Sequence, residues 1–168
     1  DPLHGDDGLE YLFGVYYRDG KAGAFEFKPF WGHTRAEEKQ AFERFMDWLD
    51  QRRRKHPSLH VYHYAAYEDT ALKKLSSRHA TREALLDTFL RERRLVDLYK
   101  VVRESIRAST PSYSIKDIEK FYRGARQGEV QTAGASIVNY ERYLETGDQA
   151  LLQQIERYNE DDVESTQQ

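Results

Sequence analysis

The sequence predicts a layered α/β fold. Two stretches rich in aromatic and β-branched residues open the chain, joined by turn chemistry. A third apolar run follows a proline after a long amphipathic segment. Helical periodicity then dominates to the end. Strands followed by interleaved helices bury their apolar faces best as layers. With 168 residues, 39% of them hydrophobic, the chain is long enough to close one core.

The first element is LEYLFGVYY (9–17), and its partner is GAFEFKPFW (23–31), where apolar and polar residues alternate. The RDGKAG between them makes the pair a β-hairpin. Residues 33–55 form the next element. Thr34 stands as N-cap with Glu37 three residues on. Ala41, Phe42, Phe45, Met46, Trp48 and Leu49 share one face at helical spacing.

SLHVYHY (58–64) reads as a buried strand. Residues 67–79 and 81–94 read as helices, and 95–106 begins as strand or loop and continues as a helix. A Ser/Asp-capped turn opens the short helix within 112–122. Residues 124–134 are a loop, and 136–148 and 149–166 close the chain as two helices.

Composition narrows the function. There is no cysteine, which removes disulfides and cysteine-ligated zinc and fits a cytoplasmic protein. No apolar run approaches the ~20 residues that span a bilayer, so no membrane partner is expected. The net charge of −3 gives no global attraction for nucleic acid. Any such attraction must be local. The opening DPLHGDDG lacks an initiator Met and reads as the continuation of something longer.

Two stretches carry candidate chemistry. In IERYNEDDVEST (155–166), Tyr158 and Asp162 are four apart and lie one helical turn from each other on one face. Asp161 points elsewhere. Such a carboxylate can hold a divalent cation, and such a phenol can orient a water. The same pattern also serves as an acidic, solvated helix end with Tyr158 packed inward. The crowded acids call for a counter-charge from solvent, arginine or metal. In VYHYAAYEDTAL (61–72), a strand ends at His63–Tyr64 and Glu68 follows at the head of a helix. An acid there complements the helix dipole. It also sits at a strand's C-terminal edge, where α/β sheets bind ligands.

Together the two stretches resemble the DEDD 3′–5′ exonucleases, in the tyrosine-bearing branch. HYAAYE resembles the second motif, with Tyr64 where Asn is usual and Glu68 where Asp is usual. YNEDD matches the third, Tyr-x-x-x-Asp, at Tyr158 and Asp162. With YLFGVY, DLYKVVRESI and YSIKDIEKFY added, the chain is similar along nearly its whole length to the RNase H-like predicted exonuclease domain of bacterial RecB-like nuclease proteins.

The resemblance implies an RNase H-like mixed sheet flanked by helices, one domain over 1–168 of a larger nuclease or helicase protein. It implies hydrolysis of single-stranded DNA or RNA ends with two Mg²⁺ or Mn²⁺ ions. Glu68 and Asp162 would be metal ligands, and Tyr158 would position the attacking water.

The first motif, Asp-x-Glu on the first strand, is not in this sequence, and Asp1, Asp6 and Asp7 lack its spacing. The first strand is expected just before Asp1, between 9–17 and 58–64. Without it, the 168 residues are expected to carry half of the ligand set and little activity. The alternative reading is a non-catalytic nucleic-acid- or protein-binding module.

Other features have two readings each. QRRRKH (51–56) and RERR (91–94) can touch phosphates or complement helix ends. Asp97 can support the site from behind or cap the helix after it. His63 reads as a half-buried histidine or a ligand. Tyrosines can stack on bases or pack in the core.

Overall fold

A computed structural model describes residues 8–20, 22–105, 107, 110–124 and 132–168. Asp1, Asp6, Asp7 and most of the expected loop at 124–134 lie outside the described residues. The elements run β1 (Leu12–Tyr17), β2 (Glu26–Trp31), α1 (Arg35–Lys55), β3 (Val61–His63), α2 (Tyr67–His79), α3 (Glu83–Arg91), β4 (Leu95–Asp97) and α4 (Leu98–Ser105). The chain continues through α5 (Ile115–Ile118), a 3-10 turn (Glu119–Phe121), α6 (Ala133–Thr146) and α7 (Gln149–Gln167).

β1 and β2 pair as one two-stranded sheet, and β3 pairs with β4 as a second. The second pair is parallel, with Val61 opposite Leu95 and His63 opposite Asp97. No ladder joins the two sheets among the described residues. This mixed α/β architecture is compatible with an RNase H-like fold.

The chain divides into two compact units. Of the described residues, one comprises Gly8 and those within Gly14–Pro29 and Glu119–Gln168; the other comprises those within Leu9–Phe13 and Phe30–Ile118.

The second unit is built on α1. Thr34 accepts a hydrogen bond from the Glu37 amide at 3.2 Å, and the Glu37 carboxylate reaches back to the His33 amide at 2.7 Å. The helix buries Ala41, Phe42, Phe45, Met46 and Leu49. Trp48 is half-buried, with Arg52 over its ring, 5.0 Å from the centroid.

Gly32 sits where the chain enters α1. A Cβ there would fall 2.6 Å from the Glu37 backbone, so no side chain fits. Glu38, fully buried, ties three segments together. Its carboxylate takes the Glu10 amide at 2.6 Å, Arg35 at 3.0 Å and His79 Nε2 at 2.7 Å. Buried carboxylates persist only when their lone pairs are satisfied this way.

β3 is shorter than the expected 58–64 and half-buried, with Tyr62 58% exposed. The reason is Arg94, whose guanidinium binds the Pro57 and Leu59 carbonyls at 2.8 and 2.9 Å and holds that stretch as a loop. The basic run at the end of α1 is largely matched by carboxylates. Arg53 and Arg54 both pair with Asp50 at 2.8 Å.

In the first unit, α6 and α7 pack against each other and are joined at Gly147, whose φ is +71°. Asp148 caps α7 by accepting from the Ala150 amide at 2.9 Å. Leu151 and Ile155 carry its buried stripe.

Candidate active site

Glu68 lies in the first turn of α2, two residues beyond the loop that leaves β3. Its side chain is half-exposed, at 50%. The loop is unusual. Ala65 has a φ of +74°, a left-handed conformation that costs a residue with a Cβ about 1–2 kcal/mol.

Two groups hold it there. The Ala65 N–H donates to Asp97 Oδ1 at 2.9 Å, and its carbonyl accepts from the His63 Nδ1 at 2.7 Å. Because β3 and β4 are parallel and in register, their last residues, His63 and Asp97, come side by side and grip the two peptide groups that flank the Ala65 Cα. Asp97 Oδ1 also accepts from the Tyr99 amide at 3.0 Å, in the first turn of α4. Asp97 therefore caps α4, as one of its two sequence readings has it, and the same oxygen also holds the Ala65 N–H of the neighbouring loop.

His63 Nδ1 is 3.7 Å from Glu68 Oε2, too far for a hydrogen bond but close enough for ionic attraction. The Glu68 carboxylate raises the His63 pKa above that of a free imidazole, against the opposing effect of burial. Beyond the two strand ends, Ala65, Ala66, Asp97, Tyr99, Lys100, Arg103 and Glu104 line a pocket of about 610 Å³. Tyr64, at the position where the resembled motif has Asn, donates its hydroxyl to the Tyr113 carbonyl at 2.6 Å.

Tyr158 and Asp162 are on α7, in the other unit from Glu68. Both are half-buried, one helical turn apart, as the spacing predicts. The counter-charge for the crowded acids is Arg123, which sequence reasoning did not single out. Its guanidinium donates to Asp161 Oδ1 at 2.5 Å, to the Asp161 carbonyl at 2.8 Å and to Glu164 Oε2 at 2.9 Å.

Two more tethers from the same turn reach α7. Ser165 Oγ donates to the buried Glu119 carboxylate at 2.6 Å, and the Tyr122 hydroxyl donates to the Ser165 carbonyl at 2.9 Å. Glu160 does not share Arg123. Burial, then Glu164 and Asp161, hold its pKa above the usual carboxylate value.

β1 backs this part of α7. The Gly14 Cα faces the Asn159 amide so closely that a Cβ would fall 1.7 Å from Asn159 Oδ1. Two residues on, burial and the nearby Glu164 and Glu160 raise the Tyr16 pKa.

A hard divalent cation wants carboxylate oxygens. Glu68 and Asp162 supply that chemistry singly. Among the described residues no three His, Cys, Asp or Glu side chains gather into a group that would hold an ion. The described side chains alone do not make an enclosed metal site.

The candidate residues thus lie just beyond the end of a parallel strand pair, for Glu68, and on α7, for Tyr158 and Asp162. The sequence model of the RNase H superfamily matches residues 1–168, and the chain belongs to that superfamily. No curated protein and no solved structure matches it. Membership suggests a nuclease-type, hydrolytic function and nucleic-acid binding. No helix among the described residues is long and apolar enough to cross a membrane.

Proposed function

We propose that the chain is a metal-dependent 3′–5′ exonuclease domain of the tyrosine-bearing DEDD type, acting on single-stranded DNA or RNA ends within a larger RecB-like nuclease or helicase protein. The observation that carries this reading is the superfamily match over the whole chain, taken with the half-exposed Glu68 just beyond the ends of two parallel strands. That edge is where α/β sheets bind ligands.

Superfamily members usually use divalent metals. Glu68 and Asp162 would be ligands to Mg²⁺ or Mn²⁺, which when bound would neutralise charge on the phosphate and lower the pKa of a water. Tyr158 would donate its hydroxyl to orient that water. Asp97 and His63 hold the Glu68 loop, and Arg123 occupies Asp161 and Glu164.

The experiment is degradation of 5′-labelled single-stranded oligonucleotides by the full-length protein with Mn²⁺. Asp162→Ala reduces cleavage to background with the fold intact. Tyr158→Phe lowers turnover about 10²-fold and leaves Mn²⁺ affinity nearly unchanged. Full activity in both variants would show that the acids around Tyr158 and Asp162 are only a solvated helix end and carry no chemistry.

A second reading, a non-catalytic binding module, is favoured by one contact. The Tyr64 hydroxyl is committed to Tyr113, a structural use of a motif position. Oligonucleotide binding without Mn²⁺-dependent cleavage in the unmodified protein would select it.

A further inference from the structure

We propose that Asp97 is a positioning residue for Glu68, acting through the Ala65 peptide. The proposal rests on the assignment of Glu68 to the active site.

The direct support of the Glu68 carboxylate is loose, with the His63 ring 3.7 Å away. Glu68 is half-exposed, in a helix whose N-cap residue, Ala66, has no side-chain cap hydrogen bond. The direction in which α2 leaves β3 is set one residue earlier, by the left-handed Ala65. Alanine does not choose that conformation unaided, because its Cβ crowds the following carbonyl. Something outside the loop must hold it.

Asp97 does so from the neighbouring strand. Its side chain is only 10% exposed, and one oxygen accepts from both the Ala65 and the Tyr99 amides. The second oxygen faces Lys100 Nζ at 4.0 Å. One carboxylate therefore sets the start of α2 and the start of α4 together, on either side of the pocket. Without it, Ala65 relaxes to negative φ and α2 redirects its first turn, with Glu68 in it. His63 holds only the carbonyl of Ala65, in the peptide group after it, and does not reach its N–H.

The test compares Asp97→Ala, Asp97→Asn and the double variant Asp97→Ala/Ala65→Gly in the full-length protein. Amide exchange at Ala65 reports the grip directly and needs no activity. In Asp97→Ala, exchange at Ala65 rises and the backbone resonances of Glu68 shift. The kcat for single-stranded oligonucleotide cleavage falls about 10- to 100-fold, as when a residue that orients a ligand is removed, while KM changes little.

Asp97→Asn recovers most of this loss, because an amide oxygen still accepts from both N–H groups. Ala65→Gly in the Asp97→Ala background recovers part of it, because glycine adopts positive φ freely. Should Asp97→Ala not fold, Ala65→Val carries the same test: Asp97 stays in place while the β-branched side chain opposes the left-handed backbone.

Equal damage from Asn and Ala, with Ala65 exchange unchanged, would overturn the proposal and make Asp97 a direct participant through its charge. If the unmodified protein does not cleave, the nuclease reading fails, and Ala65 exchange with the Glu68 shift still decides the positioning role.

Discussion

Arg123 answers the acids of α7 in pairs. Asp161 and Glu164 sit one helical turn apart, and one planar guanidinium bridges them. With 18% of its side chain exposed, this pairing is worth more than a surface ion pair. Arg123→Ala should lower stability by about 1–2 kcal/mol in urea unfolding. Lys should recover only part, since an ammonium cannot span both partners. Equal stability of all three proteins would mean that α7 is held by packing alone.

Glu160 is the acid left over. It has like charges at i−4 and i+4, Glu156 and Glu164. Glu160→Gln should therefore stabilise the protein at pH 7 by about 0.5 kcal/mol. The folded pKa of Glu160 is raised, so the wild-type penalty is complete above that pKa and vanishes as pH falls through it toward 4.5, the unfolded value. Stability curves of the two proteins should converge in acid. A gap that stays constant with pH would refute the electrostatic cause.

The Tyr158–Asp162 spacing was readable because a helix repeats locally. Arg123 was not, because its partner lies 38 residues away. Nor was left-handed Ala65, since alanine carries no signal for positive φ.

At the scale of elements, periodicity and caps located each helix to within a few residues. The exceptions have local causes. The expected start of α6 was 136, yet the helix begins at Ala133 with Thr132 as its cap, accepting from the Ala135 amide at 3.1 Å. Gly134 disguised that turn. β3 was read too long because the guanidinium that holds Pro57 and Leu59 in a loop comes from beyond α3.

Packing of β1 on α7 shows how close such elements can approach. Gly14→Ala would set a Cβ 1.7 Å from Asn159 Oδ1 and 2.8 Å from the Phe27 ring. Relief requires the Asn159 side chain to turn and the strand to shift, at about 1–3 kcal/mol. Adding Asn159→Ala should return part of that loss. Strict additivity of the two substitutions in a double-mutant cycle would show that they do not meet.

At the scale of the whole molecule, the order of strands and helices was legible, but not the grouping into units. The boundary runs through the hairpin, at Phe13–Gly14 and again at Pro29–Phe30. Aromatic residues lie on both sides of it in each strand, so composition does not mark it.

The interleaving has a consequence for synthesis. The second unit is complete once Ile118 has been made. The first must wait for α6 and α7, because the rest of the unit that holds Gly14–Pro29 begins only at Glu119. At about 5–20 residues per second, the last 50 residues take a few seconds to appear. For that interval Gly14–Pro29 has its hairpin pairing but lacks α7, and its free strand edges are of the kind that invites pairing with other chains. A nascent chain stalled at Ile118 should resist protease across α1–α3 and be cut within 14–29. Uniform cleavage throughout would mean that the two units fold only together.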